Sequence, residues 1–180
     1  MIILDSIRNK IGYTLLDNKI KKDNIKHYSN SFQDAQSIGI LYNVDNNVDM
    51  LSMEKMINFL CFFEKKIFLL YYLKNKKEYV KNYEYDLLSV NSFNNKNINF
   101  IFHPNSMIIQ NFIKKEFDIL ISISFYSCLP INYITGRSNA KFRIGPYNKS
   151  NIKYLDLIFD LKKDKNIENF IKNFQYYFSL

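Results

Sequence analysis

Three stretches of the chain run apolar through their middle, with no polar face. They are Ile38-Gly39-Ile40-Leu41-Tyr42, Ile67-Phe68-Leu69-Leu70-Tyr71-Tyr72-Leu73 and Phe117-Asp118-Ile119-Leu120-Ile121-Ser122-Ile123. A strand with one wet face alternates polar and apolar residues; a strand covered on both faces does not need to. Segments with helical periodicity lie between these runs. Asp49 or Ser52 can cap a helix to about residue 66, with Met53, Met56, Ile57, Leu60 and Phe63 as its stripe. Ser106 caps another to about Glu116, with Ile108, Ile109, Phe112 and Ile113 inward. Pro130 suits the first turn of a short helix over 129–136, and Gly136 its stop. Residues 166–178 close the chain with Ile167, Phe170, Ile171, Phe174 and Phe178 on one side of a helix.

Buried strands alternating with helices predict a parallel sheet between helical layers. Shorter strands are expected at 98–102, 140–145 and 154–160, and the polar stretch 74–96 is expected to be irregular. The fold class is therefore a three-layer α/β domain over 37–180, with a mostly parallel, Rossmann-like sheet of about five or six strands. Residues 1–36 read as an N-terminal helical arm and a polar linker. Its helix, over 1–22, repeats Ile3, Ile7, Ile11 and Leu15 at spacing four, with Leu4 and Leu16 beside them and Gly12 weakening the centre. That stripe is expected against the chain's own domain or a dimer partner, with a membrane surface as the lesser alternative.

The formal net charge is +8, which ordinarily points to an acidic partner. Here 22 of the 25 basic residues are lysine; the arginines are Arg8, Arg137 and Arg143. The chain also holds 24 Asn and 25 Ile against 4 Gly, 3 Pro and no Trp. That joint bias reads as the drift of an AT-rich genome, and as a lysine-rich solvated surface rather than a selected nucleic-acid face, where arginine supplies the bidentate contacts. No run of about 18 apolar residues predicts a membrane span. The first residues lack the basic segment and cleavage site of a secretory signal, and two cysteines make no disulfide scaffold, so a cytoplasmic protein is expected.

Chemistry-bearing motifs are sparse. The glycines, at 12, 39, 136 and 145, assemble neither a P-loop nor a dinucleotide fingerprint, so no nucleotide cofactor is expected. Cys61, Cys128, His27 and His103 include no ligand-spaced pair, so no metal is expected. Cys128 follows the central strand at a helix start, and His103 also sits between strand and helix. The two can share the crevice at the carboxyl ends of the strands as a nucleophile pair, or be a structural cysteine and a loop histidine. Arg137, Ser138, Asn139, Lys141 and Arg143 crowd one segment and are the candidate anion- or partner-binding residues. Tyr71-Tyr72 and Tyr83–Tyr85 can stack bases, but read first as core or drift.

Phe112–Ser122, Leu129–Ile134, Ser138–Gly145 and Tyr154–Ile158 together resemble an uncharacterised family of small cytoplasmic Bacteroidota proteins, with the pattern F-x-x-x-F-D-x-L-I, then S-x-A-x-F-K/R-I/V-G, then D-L-x-I. Ser37–Leu41 resembles that family's first core strand. The resemblance implies an AT-rich host and carries over no catalytic residue. The same stretch is similar in fold to the N-terminal domain of heptosyltransferase-like glycosyltransferases, although Ser122 stands where those have an acidic residue. The function expected is a non-catalytic binding protein with a protein or RNA partner, docking through the Arg137–Arg143 edge and the N-terminal helix. The alternative is a small enzyme or an anion- or metabolite-binding domain using the crevice near His103, Cys128, Arg137 and Ser138.

Overall fold

The computed structural model describes residues 2–23, 31–44, 50–74, 86–162 and 164–180. The chain runs α1 (Ile2–Asp23), β1 (Ser37–Asn43), α2 (Met50–Phe62), β2 (Lys66–Tyr72), β3 (Leu88–Phe93), α3 (Met107–Lys114), β4 (Ile119–Ile123), α4 (Leu129–Arg137), β5 (Phe142–Pro146), β6 (Leu157–Phe159) and α5 (Ile167–Phe178), with 3-10 turns at 95–97 and 152–154. The strands form one sheet in the order β3-β2-β1-β4-β5-β6, every pair parallel.

Successive side chains of a strand point to opposite faces, and here both faces are covered. Ile38, Ile40 and Tyr42 of β1, with Ile119, Ile121 and Ile123 of β4, join the layer that holds Met53, Met56, Ile57 and Leu60 of α2 and Phe170 and Phe174 of α5. Leu41, Leu70 and Leu120 join the other layer, with Leu16 of α1, Ile109 and Phe112 of α3, and Ile131 and Ile134 of α4. This two-sided burial is the physical reason for the unbroken apolar runs. At Gly39 a Cβ would come within 2.8 Å of the Phe117 ring, so the side chain missing from β1 makes room for an aromatic at the foot of β4.

Some elements differ from the sequence expectation. β3 lies inside the segment expected to be irregular: Leu88-Ser89-Val90-Asn91-Ser92-Phe93 is an edge strand, so half its side chains stay polar. Residues 98–102 form no strand. Ile98 bridges Pro104, the Asn99 side chain accepts from the amides of Ile101 and His103, and Phe102 takes a left-handed φ of 61°. The polar linker contributes to the core: Phe32 and Ala35 are buried, and the Phe32 ring lies 5.2 Å from Phe63 and 5.5 Å from Phe174. The proposed cap Asp49 and the tyrosines Tyr83–Tyr85 fall outside the described residues, while Tyr71 and Tyr72 are buried.

Asp118 ties the amino ends of β1, β4 and β5 together. Its Oδ2 accepts from the Gln36 and Ser37 amides and the Ser37 hydroxyl at 3.0 Å each, and its Oδ1 meets Lys141 Nζ at 2.7 Å. Burial pushes its carboxyl up, but the Lys141 ammonium and the Gln36 and Ser37 donors outweigh that and hold it at about 2. A carboxyl depressed in the folded state stabilises the fold above its unfolded value of about 4, and that contribution is lost as pH falls toward the folded value. Urea midpoints should therefore drop for the wild type between about pH 4 and pH 2. Asp118→Asn should be less stable at neutral pH and should flatten that part of the profile; equal slopes for the two proteins would contradict it.

Candidate ligand-binding crevice

The chain enters the sheet at β1, moves outward to β2 and β3, then crosses back over α3 to β4 on the other side of β1. The direction of strand order therefore reverses between β1 and β4, and ligands of open α/β sheets bind beyond the carboxyl ends at such a point. A cleft of about 740 Å³ lies there, within the usual size of small-molecule sites. Asn43 ends β1 at its wall, Tyr72 ends β2, and Tyr126, Ser127 and Cys128 come from the turn after β4. Arg8 and Asn9 reach it from α1, and Asn95, Asn99 and Phe102 from the loop after β3.

The turn after β4 is fastened from beneath. Asn148 is buried and donates from Nδ2 to the Ser124 carbonyl at 2.8 Å and to the Tyr126 carbonyl at 3.5 Å. Its own position is set by Asn151, whose Oδ1 accepts the Asn148 amide and whose Nδ2 donates to the Pro146 carbonyl. Asn132, also buried, donates to Tyr13 Oη and to both oxygens of Ser150, and Tyr13 Oη lies 3.1 Å from Ser127 Oγ. Satisfied buried amide networks of this kind rigidify what they hold. The many asparagines therefore have structural positions here, whatever bias supplied them.

Arg8 is the best-oriented cation of the cleft. Its guanidinium lies 4.3 Å from the centroids of both Phe100 and Phe102, Nε donates to the Phe100 carbonyl at 2.6 Å, and Nη1 pairs with Asp5 at 2.8 Å. The planar fork is thus held in one orientation, the condition under which arginine reads a carboxylate or phosphate. Also lining the cleft, the Tyr72 ring stacks on Phe93 at 4.8 Å, and its hydroxyl donates to Asn95 Oδ1 at 2.7 Å. Burial, and then the neighbouring Cys128, push the Tyr72 phenol up, so it is a neutral hydroxyl at physiological pH. Cys128 is the N-cap of α4, and its carbonyl accepts the Asn132 amide. Pro130 removes one amide from that first turn.

The residues singled out in the sequence do not gather here. Of the candidate anion-binding and crevice residues, Cys128 alone lines the cleft. His103 is buried beneath α1, its Nε2 is 2.8 Å from the Gly12 carbonyl, and its ring is 4.5 Å from Tyr133. Burial lowers its basicity, only partly opposed by the Gly12 bond; the neutral ring therefore donates Nε2–H to that carbonyl. Arg137 lies at the other end of α4 from Cys128, with Nη1 on Tyr133 Oη at 3.2 Å. Ser138 is buried and accepts the Ala140 amide, and Asn139 donates to the Lys114 carbonyl. Lys141 pairs with Asp118, and Arg143 is buried against Asp156. Arg8 and the asparagine set were not singled out, and Tyr72 was read only as a base-stacking or core residue. Arg8 had one visible signal, being an arginine in a chain that otherwise uses lysine.

Among the described residues, no three His, Cys, Asp or Glu side chains group as metal ligands, and no helix is long and apolar enough to cross a membrane. Fold and cleft together define a doubly wound parallel α/β domain with an open cleft at its switch point. The chain belongs to a family of unknown function, DUF6913, whose model matches residues 8–180. No curated protein and no solved structure matches it.

Proposed function

We propose that the chain is a small-molecule-binding α/β protein whose switch-point cleft takes a small polar metabolite carrying one acidic group. The observation that carries this reading is the Arg8 fork, fixed by two aromatic rings, a carbonyl and Asp5 at the wall of a cleft of about 740 Å³. The acidic group faces Arg8, and the rest of the ligand lies among Asn43, Asn95, Asn99 and Tyr126. The reading is binding rather than catalysis, because the histidine that a Cys128 nucleophile would need is engaged with Gly12 under α1. The Arg137–Arg143 edge supports a protein or RNA partner less well, since Arg143 and Ser138 are buried and Lys141 is paired with Asp118.

A thermal-shift screen of small carboxylates and phosphates, followed by calorimetry on the hits, tests this directly. Arg8→Ala should weaken the best hit by about tenfold or more, the value of a charge-assisted hydrogen bond. Tyr72→Phe should weaken it by less and leave the melting profile cooperative. A hit whose affinity is the same in Arg8→Ala, or whose amide shifts map away from Tyr126–Cys128, contradicts the assignment.

A further inference from the structure

The apolar stripe of α1 is not the face that packs on the domain. Ile3, Leu4, Ile7, Ile11 and Leu15 are 78%, 53%, 51%, 45% and 42% exposed. The domain instead meets the opposite side of the helix, at Gly12, Leu16 and Ile20. Phe100, 65% exposed and stacked on Arg8, continues the apolar surface beyond the helix. At 3.6 residues per turn, Lys10, Thr14, Asn18 and Lys21 fall on the same side as the stripe, and all four are exposed. The acids Asp5 and Asp17 turn elsewhere: Asp5 to Arg8, and Asp17 to Lys153 and Tyr154.

We propose that this face lies flat on an anionic lipid bilayer, with the Ile and Leu side chains in the interface and Lys10 and Lys21 against the head groups. Binding of this kind scales with the apolar area buried and with the attraction of cations to anionic lipid; the exposed stripe supplies the first, and Lys10, Lys21 and the chain's net charge of +8 the second. Charge argues against a second copy of the chain. A two-fold axis centred between Ile7 and Ile11 would set Lys10 against its own equivalent, with neither Asp5 nor Asp17 turned toward the contact. Side-chain chemistry argues against RNA, because the Ile and Leu stripe offers no stacking plane or bidentate donor and the one ring beside it, Phe100, is already stacked on Arg8. A bilayer accepts both parts of the face at once.

The test is co-sedimentation of the full chain with phosphatidylcholine vesicles, with and without about one part in three of phosphatidylglycerol. The wild type should pellet with the anionic vesicles, far less with the neutral ones, and should be released as salt rises. Ile7→Asp with Ile11→Asp should reduce the pelleted fraction at least tenfold. Lys10→Glu with Lys21→Glu should remove the preference for anionic lipid. Circular dichroism melts of both double variants should match the wild type, and if the aspartate pair misfolds the glutamate pair carries the test. A wild type that stays in the supernatant, pellets equally with both vesicles, or pellets unchanged after the substitutions overturns the proposal. So does a concentration-dependent dimer in sedimentation velocity that Ile7→Asp with Ile11→Asp dissolves while no vesicle binding occurs.

Discussion

Asp156→Ala should lower the unfolding free energy by about 3–5 kcal/mol, the loss expected when one partner of a buried ion pair is removed. Arg143 lies within β5 with its guanidinium buried, and Asp156 stands just before β6. One carboxylate oxygen, Asp156 Oδ2, accepts both the Arg143 amide at 2.7 Å and Arg143 Nε at 3.4 Å. The Asp156 amide returns a bond to the Arg143 carbonyl at 2.8 Å. Nη1 also reaches the Thr135 and Gly136 carbonyls at the end of α4, at 3.4 Å each. Removing the carboxylate takes the opposite charge and the Nε acceptor from a buried guanidinium, and the Arg143 amide loses its side-chain acceptor beside β6. Asp156→Asn keeps an acceptor and should cost less. Replacing both partners, Arg143→Met with Asp156→Leu, should recover most of the loss, because neither a charge nor its desolvation remains. Urea denaturation of the wild type and the three variants measures these differences, and a loss below about 1 kcal/mol for Asp156→Ala would show that water reaches the guanidinium.

The second large effect is at Gly12, and its sign is opposite to helix propensity. Alanine is the better helix former by about 1 kcal/mol. Yet a Cβ at this position would lie 2.4 Å from Leu129 Cδ2 and 2.5 Å from the Ile101 carbonyl oxygen, and the second neighbour is backbone. The Gly12 carbonyl also takes the His103 bond. Gly12→Ala should therefore destabilise the protein by a net of about 2 kcal/mol, in the range of other overpacked contacts. It should also speed tryptic cleavage at Lys19 and Lys21, and weaken ligand binding in the cleft, because α1 brings Arg8 to it. A more stable Gly12→Ala protein would mean that α1 does not seat as described.

These two sites show what the sequence carries and what it does not. The runs at Ile38–Tyr42, Ile67–Leu73 and Ile119–Ile123 were legible because double-sided burial excludes polar residues. The stripes of α2 and α5 were legible because each helix has one buried face; in α3 Ile109, Phe112 and Ile113 are buried as expected, but Ile108, expected inward, is 46% exposed. β3 was not, because an edge strand keeps polar side chains. The 98–102 segment misled because its apolar letters are held in a turn by the Asn99 side chain, an interaction that apolar pattern does not encode. In α1 the periodicity was real, but it marks the face away from the domain, and the glycine that seemed a weak point is the docking point. Of the cleft, the sequence pointed to Cys128 as a crevice residue and to Tyr72 only as a base-stacking or core residue. Arg8 meets the Phe100 carbonyl across 92 positions of chain, a proximity that topology creates and local pattern cannot.

The seam between β1 and β4 also has a kinetic meaning. Residues 37–93 can pair strand by strand outward from β1, and residues 119–159 likewise from β4, each through short connections. The two halves meet at a single parallel pairing, clasped where Asp118 accepts the Ser37 amide across 81 positions. Closing a loop of that length carries an entropy cost that no local contact offsets beforehand, and non-local parallel pairing is the slow part of such topologies. The cleft lies at the carboxyl end of this same seam. The proposed ligand site therefore depends on this long-range joint, so a chain in which β1 and β4 are unpaired has no such cleft to present.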